Sequence, residues 1–352
     1  MKKSFLSAMA LIVVFSILNL TQAQAETKPK LKKIPLTWAD HIPAQAGGNI
    51  FVMKQYFPRI QAQLAEIGYE LDITFYHAAS LFPMTEQATA CAQGLVDMTI
   101  VILPYETGWA PLHEVLDFGF MGWDGQMLNR VWSELNKNIP EFDKELSSPF
   151  FELFRFIPTP RYLHHNVEGA KVPADFKGVK LQSSGIAREM FKSIGAVPIR
   201  QSSSDWYTSL DRGLFDGVAV AFDMVHIMKL YEVLQYHILF RGDSLGFTPV
   251  THVINRKKFE RLPRGVQKVL EDNVEWASEA MLEDELTRLP VYMSGPKKMG
   301  NTFYDLTPED TEKWREAFMP IHQQWIQRLE KEGEPAKKVY EEATRLIKEY
   351  SK

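Results

Sequence analysis

Apolar positions recur along this chain at two spacings, and the changes between them mark its elements. Residues 36–40 form a short apolar run that reads as a first strand. Ile50, Phe51, Met53, Phe57, Ile60, Leu64 and Ile67 fall at helical spacing, so 49–67 is expected to be a helix stopped by Gly68. Residues 69–77 alternate like a strand, 85–93 read as a helix closed by Gly94, and 96–103 form a continuous apolar strand. Strand, helix, strand, helix, strand predicts a parallel sheet with helices on both faces.

The pattern then restarts. Strands are expected at 150–157, 180–182, 197–199 and 218–222. Helices are expected at 186–194 and 205–212, the latter capped by Ser204 and stopped by Gly213. Residues 237–240 and 249–254 read as strands returning to a sheet. From Pro263 the chain turns helical, at 265–289, 308–331 and 334–352. Two α/β units with the chain crossing between them leave a cleft, a common place for a small ligand.

The N-terminus changes the picture of where this fold works. Met1-Lys2-Lys3, an apolar stretch over 5–20 and Ala23-Gln24-Ala25 have the three parts of a secretory signal, with cleavage expected after Ala25 and export to a periplasm. Residues 26–35 read as a flexible leader. No later stretch approaches 18 unbroken apolar residues.

Composition narrows the chemistry. At 352 residues, two domains are expected. A net charge of −4 and a pI near 6.2 provide no basic footprint, so nucleic acid is not an expected partner. Cys91 is the single cysteine, which excludes an internal disulfide framework; inside an apolar helix it reads as a small buried hydrophobe. His164 and His165, adjacent on a strand, face opposite ways and make a poor metal pair. Neither a nucleophile elbow nor a phosphate-binding loop is present, so no enzyme activity, cofactor or metal is expected. Glu271-Asp272, Glu283-Asp284-Glu285 and Glu341-Glu342 read as solvated helix faces. Arg161 follows Pro158-Thr159-Pro160 at the crossing between units. It reads equally as a fork onto a carboxylate or as a hinge salt bridge. Trp206 and Phe222 border the strand ends of the second unit.

Residues 175–182, then Gly195-Ala196-Val197-Pro198, then 205–210 and 213–217 resemble, in order and spacing, the solute-binding subunit of tripartite ATP-independent periplasmic (TRAP) transporters. Gly94-Leu95-Val96-Asp97-Met98, 116–120 and 259–267 extend the resemblance over roughly 33–330. It implies a two-lobed, periplasmic-binding-protein-like α/β fold with a hinged cleft and a long bracing helix. The implied lobes are 33–157 plus about 246–285, and 158–245 plus about 286–330, followed by a C-terminal helix over 331–352. It also implies a monomer that closes on a small solute and passes it to one small and one large integral membrane subunit.

One position departs from the family pattern. Members that bind organic acids clamp the carboxylate with an arginine where this chain has Gln182. Glutamine hydrogen-bonds but supplies no cation, so a neutral or weakly polar solute is expected. An organic acid held by Arg161 alone is the close alternative. The alignment adds Ser203 and Val220 to the site, and Asp223 just past the same strand, where it could accept a hydroxyl or a cationic amine. Asp40 and His41 are expected to contribute from the first lobe, with Trp206 and Phe222 from the second.

Overall fold

Met98–Ile102 is buried at all five positions, as a strand covered on both faces must be, and it forms the middle of the first of two sheets. The computed structural model describes residues 31–351 apart from Ala46, Thr107, Trp123 and Arg241, so the expected export signal lies outside the described residues.

The first sheet has the order β2-β1-β3-β10-β4. Its strands are β1 (Lys32–Ala39), β2 (Tyr69–Tyr76), β3 (Met98–Ile102), β4 (Phe150–Phe156) and β10 (Val250–Asn255). β1 pairs in parallel with both β2 and β3, as strands joined by helices should, whereas β10 runs antiparallel between β3 and β4. This register places Val250 opposite Ile102.

The second sheet has the order β11-β9-β5-β8-β6-β7. It contains β5 (Tyr162–His165), β6 (Lys180–Gln182), β7 (Val197–Ile199), β8 (Gly217–Val220), β9 (Tyr236–Leu239) and β11 (Thr302–Asp305). The chain crosses to it after β4, returns to the first sheet as β10, and crosses again to reach β11. The helix Val274–Met299 makes this last crossing. It packs on β4 of the first sheet and on the helix Phe222–Ile227, which follows β8 of the second.

Several elements differ from expectation. The helix expected over 49–67 begins at Gly47 and widens into a π turn at Val52–Tyr56, where the Phe57 amide donates to the Val52 carbonyl. Pro58 explains the widening, because it has no N–H to offer the Lys54 carbonyl. The helix expected over 265–289 is two, Arg264–Asp272 and Val274–Met299. The second runs through Pro290 and Pro296, held by the burial of Tyr292 and Pro296 itself. β11 and the helices Gly125–Asn138 and Pro140–Ser147 have no counterpart in the pattern reading. The helix after Ser204 starts at Trp206 without a side-chain cap. The last helix, Ala336–Tyr350, packs on Gly125–Asn138 and on Pro308–Lys331.

Candidate functional site

Between the two sheets lies a cavity of about 90 Å3. The first sheet contributes Ile100 and Ile102 of β3 and Val250 of β10. The second contributes Val220 at the end of β8, and Asp223, Met224 and Met228 from the segment that follows. The loop after β1 supplies His41 and Ile42, the start of the next helix supplies Gly47, and the bracing helix supplies Glu285. No lysine or arginine lines the cavity among the described residues.

Asp40 does not line the cavity, contrary to expectation. At 1% exposure, it accepts hydrogen bonds from Trp38 Nε1 (2.6 Å), the Ile42 amide (2.9 Å) and Asn49 Nδ2 (3.2 Å), and pairs with His77 Nδ1 (2.8 Å). Four partners are drawn to one carboxylate because a buried charge must be compensated. Asp40 thereby shapes the loop that carries His41 to the cavity wall. Burial lowers the His41 pKa to about 4, so its ring is neutral at pH 7.

Four of the nine expected residues reach the wall: His41, Ser203, Val220 and Asp223. Trp206 is fully buried and its Nε1 donates to the Gln201 carbonyl at 3.1 Å. Phe222 sits among the rings of Tyr162, His164, His237 and Phe303. Both are core, because a large aromatic beside a strand end gains more by filling the interior than by facing a cleft.

Arg161 and Gln182 lie outside this cavity's lining. Arg161 is an internal ion pair with Asp117, and its Nη2 also donates to the carbonyls of Asp117 (2.7 Å) and Leu245 (3.0 Å). Burial nevertheless pushes the Asp117 carboxyl up to about 7, against the opposing pull of Arg161. Gln182 is 1% exposed on β6, and its Nε2 has no hydrogen-bond partner. The hydroxyls of Thr159, Ser183 and Ser184 and the Nε of Arg161 are likewise buried without partners. Each such group costs about 1–3 kcal/mol unless something satisfies it, so polar demand gathers around the hinge and the end of β6.

Pattern reading missed Tyr105, Phe156 and Glu285. Glu285 was grouped with Glu283 and Asp284 as a solvated face, yet it is only 4% exposed. It shares a buried stripe with Ala277, Met281 and Tyr292, a helical periodicity that was available in the sequence. Tyr292 Oη donates to Glu285 Oε2 at 3.2 Å. Burial pushes the carboxyls of Asp223 and Glu285 up, and the Asp223 charge raises Glu285 further.

Comparisons with known proteins agree with this architecture. The family model for bacterial extracellular solute-binding protein, family 7 (DctP), matches residues 59–328. The C4-dicarboxylate-binding periplasmic protein DctP of Rhodobacter capsulatus is 26% identical over 165 residues, 45% of this chain and 47% of that protein. The chain therefore spans about half the length of that curated relative. A marine metagenome TRAP solute-binding protein specific for aromatic acid ligands, solved with 3-hydroxybenzoate, superposes with a TM-score of 0.83 at 21% identity, covering 91% of this chain and 99% of that one. A TRAP periplasmic solute-binding protein from Bordetella bronchiseptica, with bound mandelate, gives 0.78 at 20% identity over 90% and 99%. Such identities establish the shared two-lobed fold, not the ligand. With the family model matched over most of its length and its strands laid out as two crossed-over lobes around a cavity, this chain belongs to the bacterial extracellular solute-binding protein family 7.

Proposed function

We propose that the protein is the extracytoplasmic solute-binding subunit of a TRAP transporter. It captures a small organic solute between its lobes, unchanged, and delivers it to a small and a large integral membrane subunit. The observation that carries this reading is the mainly apolar cavity walled from both sheets, in a chain of this family. The chain crossings at Pro158–Pro160 and between β9 and β10 form the hinge. Closing it around a solute shifts an existing open–closed equilibrium.

Export after Ala25 and work in a periplasm fit this role, and no described helix is long and apolar enough to cross a membrane. Binding without turnover fits the chemistry of the described residues. Burial raises the Cys91 thiol far above its ordinary range, so it is no nucleophile at neutral pH.

The solute of this proposal is not an organic acid. Gln182 supplies no charge, and the Arg161 guanidinium is already committed to Asp117. Gln182 stands where the resemblance places the family's clamp, and a neutral oxygen of the solute would satisfy its unpartnered Nε2. Titration calorimetry on the mature chain with acids, alcohols and amines tests the reading. Saturable one-to-one binding without product formation is expected. Turnover of a bound compound, or no binding across the panel, would overturn it.

A further inference from the structure

Two carboxylates face the interlobe cavity, and no lysine or arginine lines it with them among the described residues. Glu285 is 96% buried by its 4% exposure, and only its Oε2 is hydrogen-bonded, to Tyr292. Its Oε1 stands on the cavity side, so close to Gly47 that a Cβ added there would lie 2.8 Å from it. Asp223 enters the same wall from the helix packed against the bracing helix, and its Oδ1 has no partner.

The neighbouring cations are already paired. Arg288 forms an ion pair with Asp284 at 2.8 Å, one turn away on its own helix, and divides its charge between Asp284 and Glu285. Arg161 is held by Asp117. His41, which also lines the cavity, is neutral at pH 7. Burial pushes both carboxyls up, and the pull of Arg288 on Glu285 only partly offsets it, so the pair is under-compensated. The rest of the wall suits an organic body. Ile100, Ile102, Val220 and Val250 are aliphatic, Met224 and Met228 are adaptable thioethers, and Tyr105 and Phe156 add aromatic surface.

Resting on the solute-binding reading above, we propose that the solute is an organic amine whose protonated nitrogen sits between Asp223 and Glu285, with its apolar body against β3, β8 and β10. The ammonium completes the counter-charge that Arg288 supplies only in part, and donates to Glu285 Oε1 and Asp223 Oδ1. A carboxylate solute would bring a third negative charge to the same wall.

The test uses matched probes on one frame. Benzylamine, benzyl alcohol and benzoate, with hexylamine, hexanol and hexanoate as an aliphatic set, are titrated into the mature protein by calorimetry, with melting temperature as a second reading. A charge-assisted hydrogen bond contributes about 1.5–3 kcal/mol, so the amine is expected to bind about 10- to 100-fold more tightly than its alcohol. Glu285→Gln is expected to erase that advantage. Asp223→Asn, at the more exposed acid, is the independent variant should Glu285→Gln fail to fold. If an acid or alcohol binds more tightly than its matched amine, the amine assignment is overturned while the solute-binding reading stands. If no probe of any class binds, both are overturned.

Discussion

Asp117 and Arg161 are bound to each other in the interior, and the same guanidinium nitrogen also holds the Asp117 and Leu245 carbonyls. The pair ties the segment before the helix Gly125–Asn138 to the start of β5, so it joins chain regions on both sides of the hinge. Its chemistry is structural: the carboxylate that Arg161 grips belongs to the protein.

Arg161→Ala should therefore cost stability. Removing one partner of a buried ion pair typically costs about 3–5 kcal/mol, because the other charge is stranded. Urea unfolding should show the loss, and the double variant Arg161→Ala with Asp117→Asn should recover much of it. If the single variant keeps its unfolding midpoint but loses affinity for carboxylates, Arg161 is a ligand clamp instead.

Gly246 gives a second stability test at the same junction. Its φ is +90°, and a Cβ there would collide with the Asp117 carbonyl oxygen and lie 2.8 Å from Arg161 Nη2. Backbone cannot step aside as a side-chain tip can. Gly246→Ala should lose the roughly 1–2 kcal/mol of the left-handed conformation and more for the clash. A melting temperature equal to wild type would contradict this packing.

Gly47 separates binding from stability. A Cβ there would press on Glu285 Oε1, Arg288 Nη1 (3.1 Å) and Tyr292 Oη (3.2 Å), all ends of side chains able to move. Alanine is also the better helix former, by about 1 kcal/mol. Gly47→Ala should leave the melting temperature near wild type while displacing Glu285 and weakening amine binding in calorimetry. Unchanged affinity would remove Glu285 from the site.

Gln182 lies outside the cavity's lining, so Gln182→Ala tests whether the solute reaches on to the end of β6: if it does, binding should weaken without unfolding, since the amide nitrogen deleted has no protein partner. Far-UV circular dichroism should match wild type and the solute dissociation constant should rise. An unaltered constant for a solute that binds wild type would place residue 182 outside the site.

His252 provides a pH signature. It is fully buried, stacked on Phe154 at 4.0 Å and on Trp38 at 5.7 Å, and neither ring nitrogen has a partner. Burial lowers its pKa to about 3 from 6.5. The unfolded chain therefore takes up a proton below pH 6.5 that the folded protein refuses, and this site's stability is lost as pH falls from 6.5 towards 3. His252→Phe removes that proton uptake. Its stability relative to wild type should rise by up to about 1.4 kcal/mol per pH unit across that window, measured by urea unfolding at pH 7, 6 and 5. A stability difference independent of pH would show that His252 does not titrate as described.

Much of the first lobe was legible because its signals are local. The alternation of 69–77 and the apolar run of 96–103 each predict a strand from neighbours alone, and both strands form. Asp223 and Val220 were placed at the wall because a strand end is readable and clefts lie at strand ends. Trp206 and Phe222 failed by the same rule: side-chain size, which the rule ignores, sent them inward. Glu285 failed because its neighbours Glu283 and Asp284 masked its place on an apolar stripe. The partner of Arg161 lies 44 residues earlier, beyond any local pattern.

Spacing and turn residues by themselves determined an α/β chain of two repeating units, because hydrophobic periodicity and glycine stops act over a few residues. The family resemblance adds the expectation that residue 182, a glutamine here, stands where acid-binding members carry an arginine. Only the tertiary structure decided which charges are satisfied internally and which face the cavity. Ion pairing and desolvation depend on distances between residues far apart in the chain, and these satisfied Arg161 and Asp40 internally while leaving Asp223 and Glu285 facing the cavity.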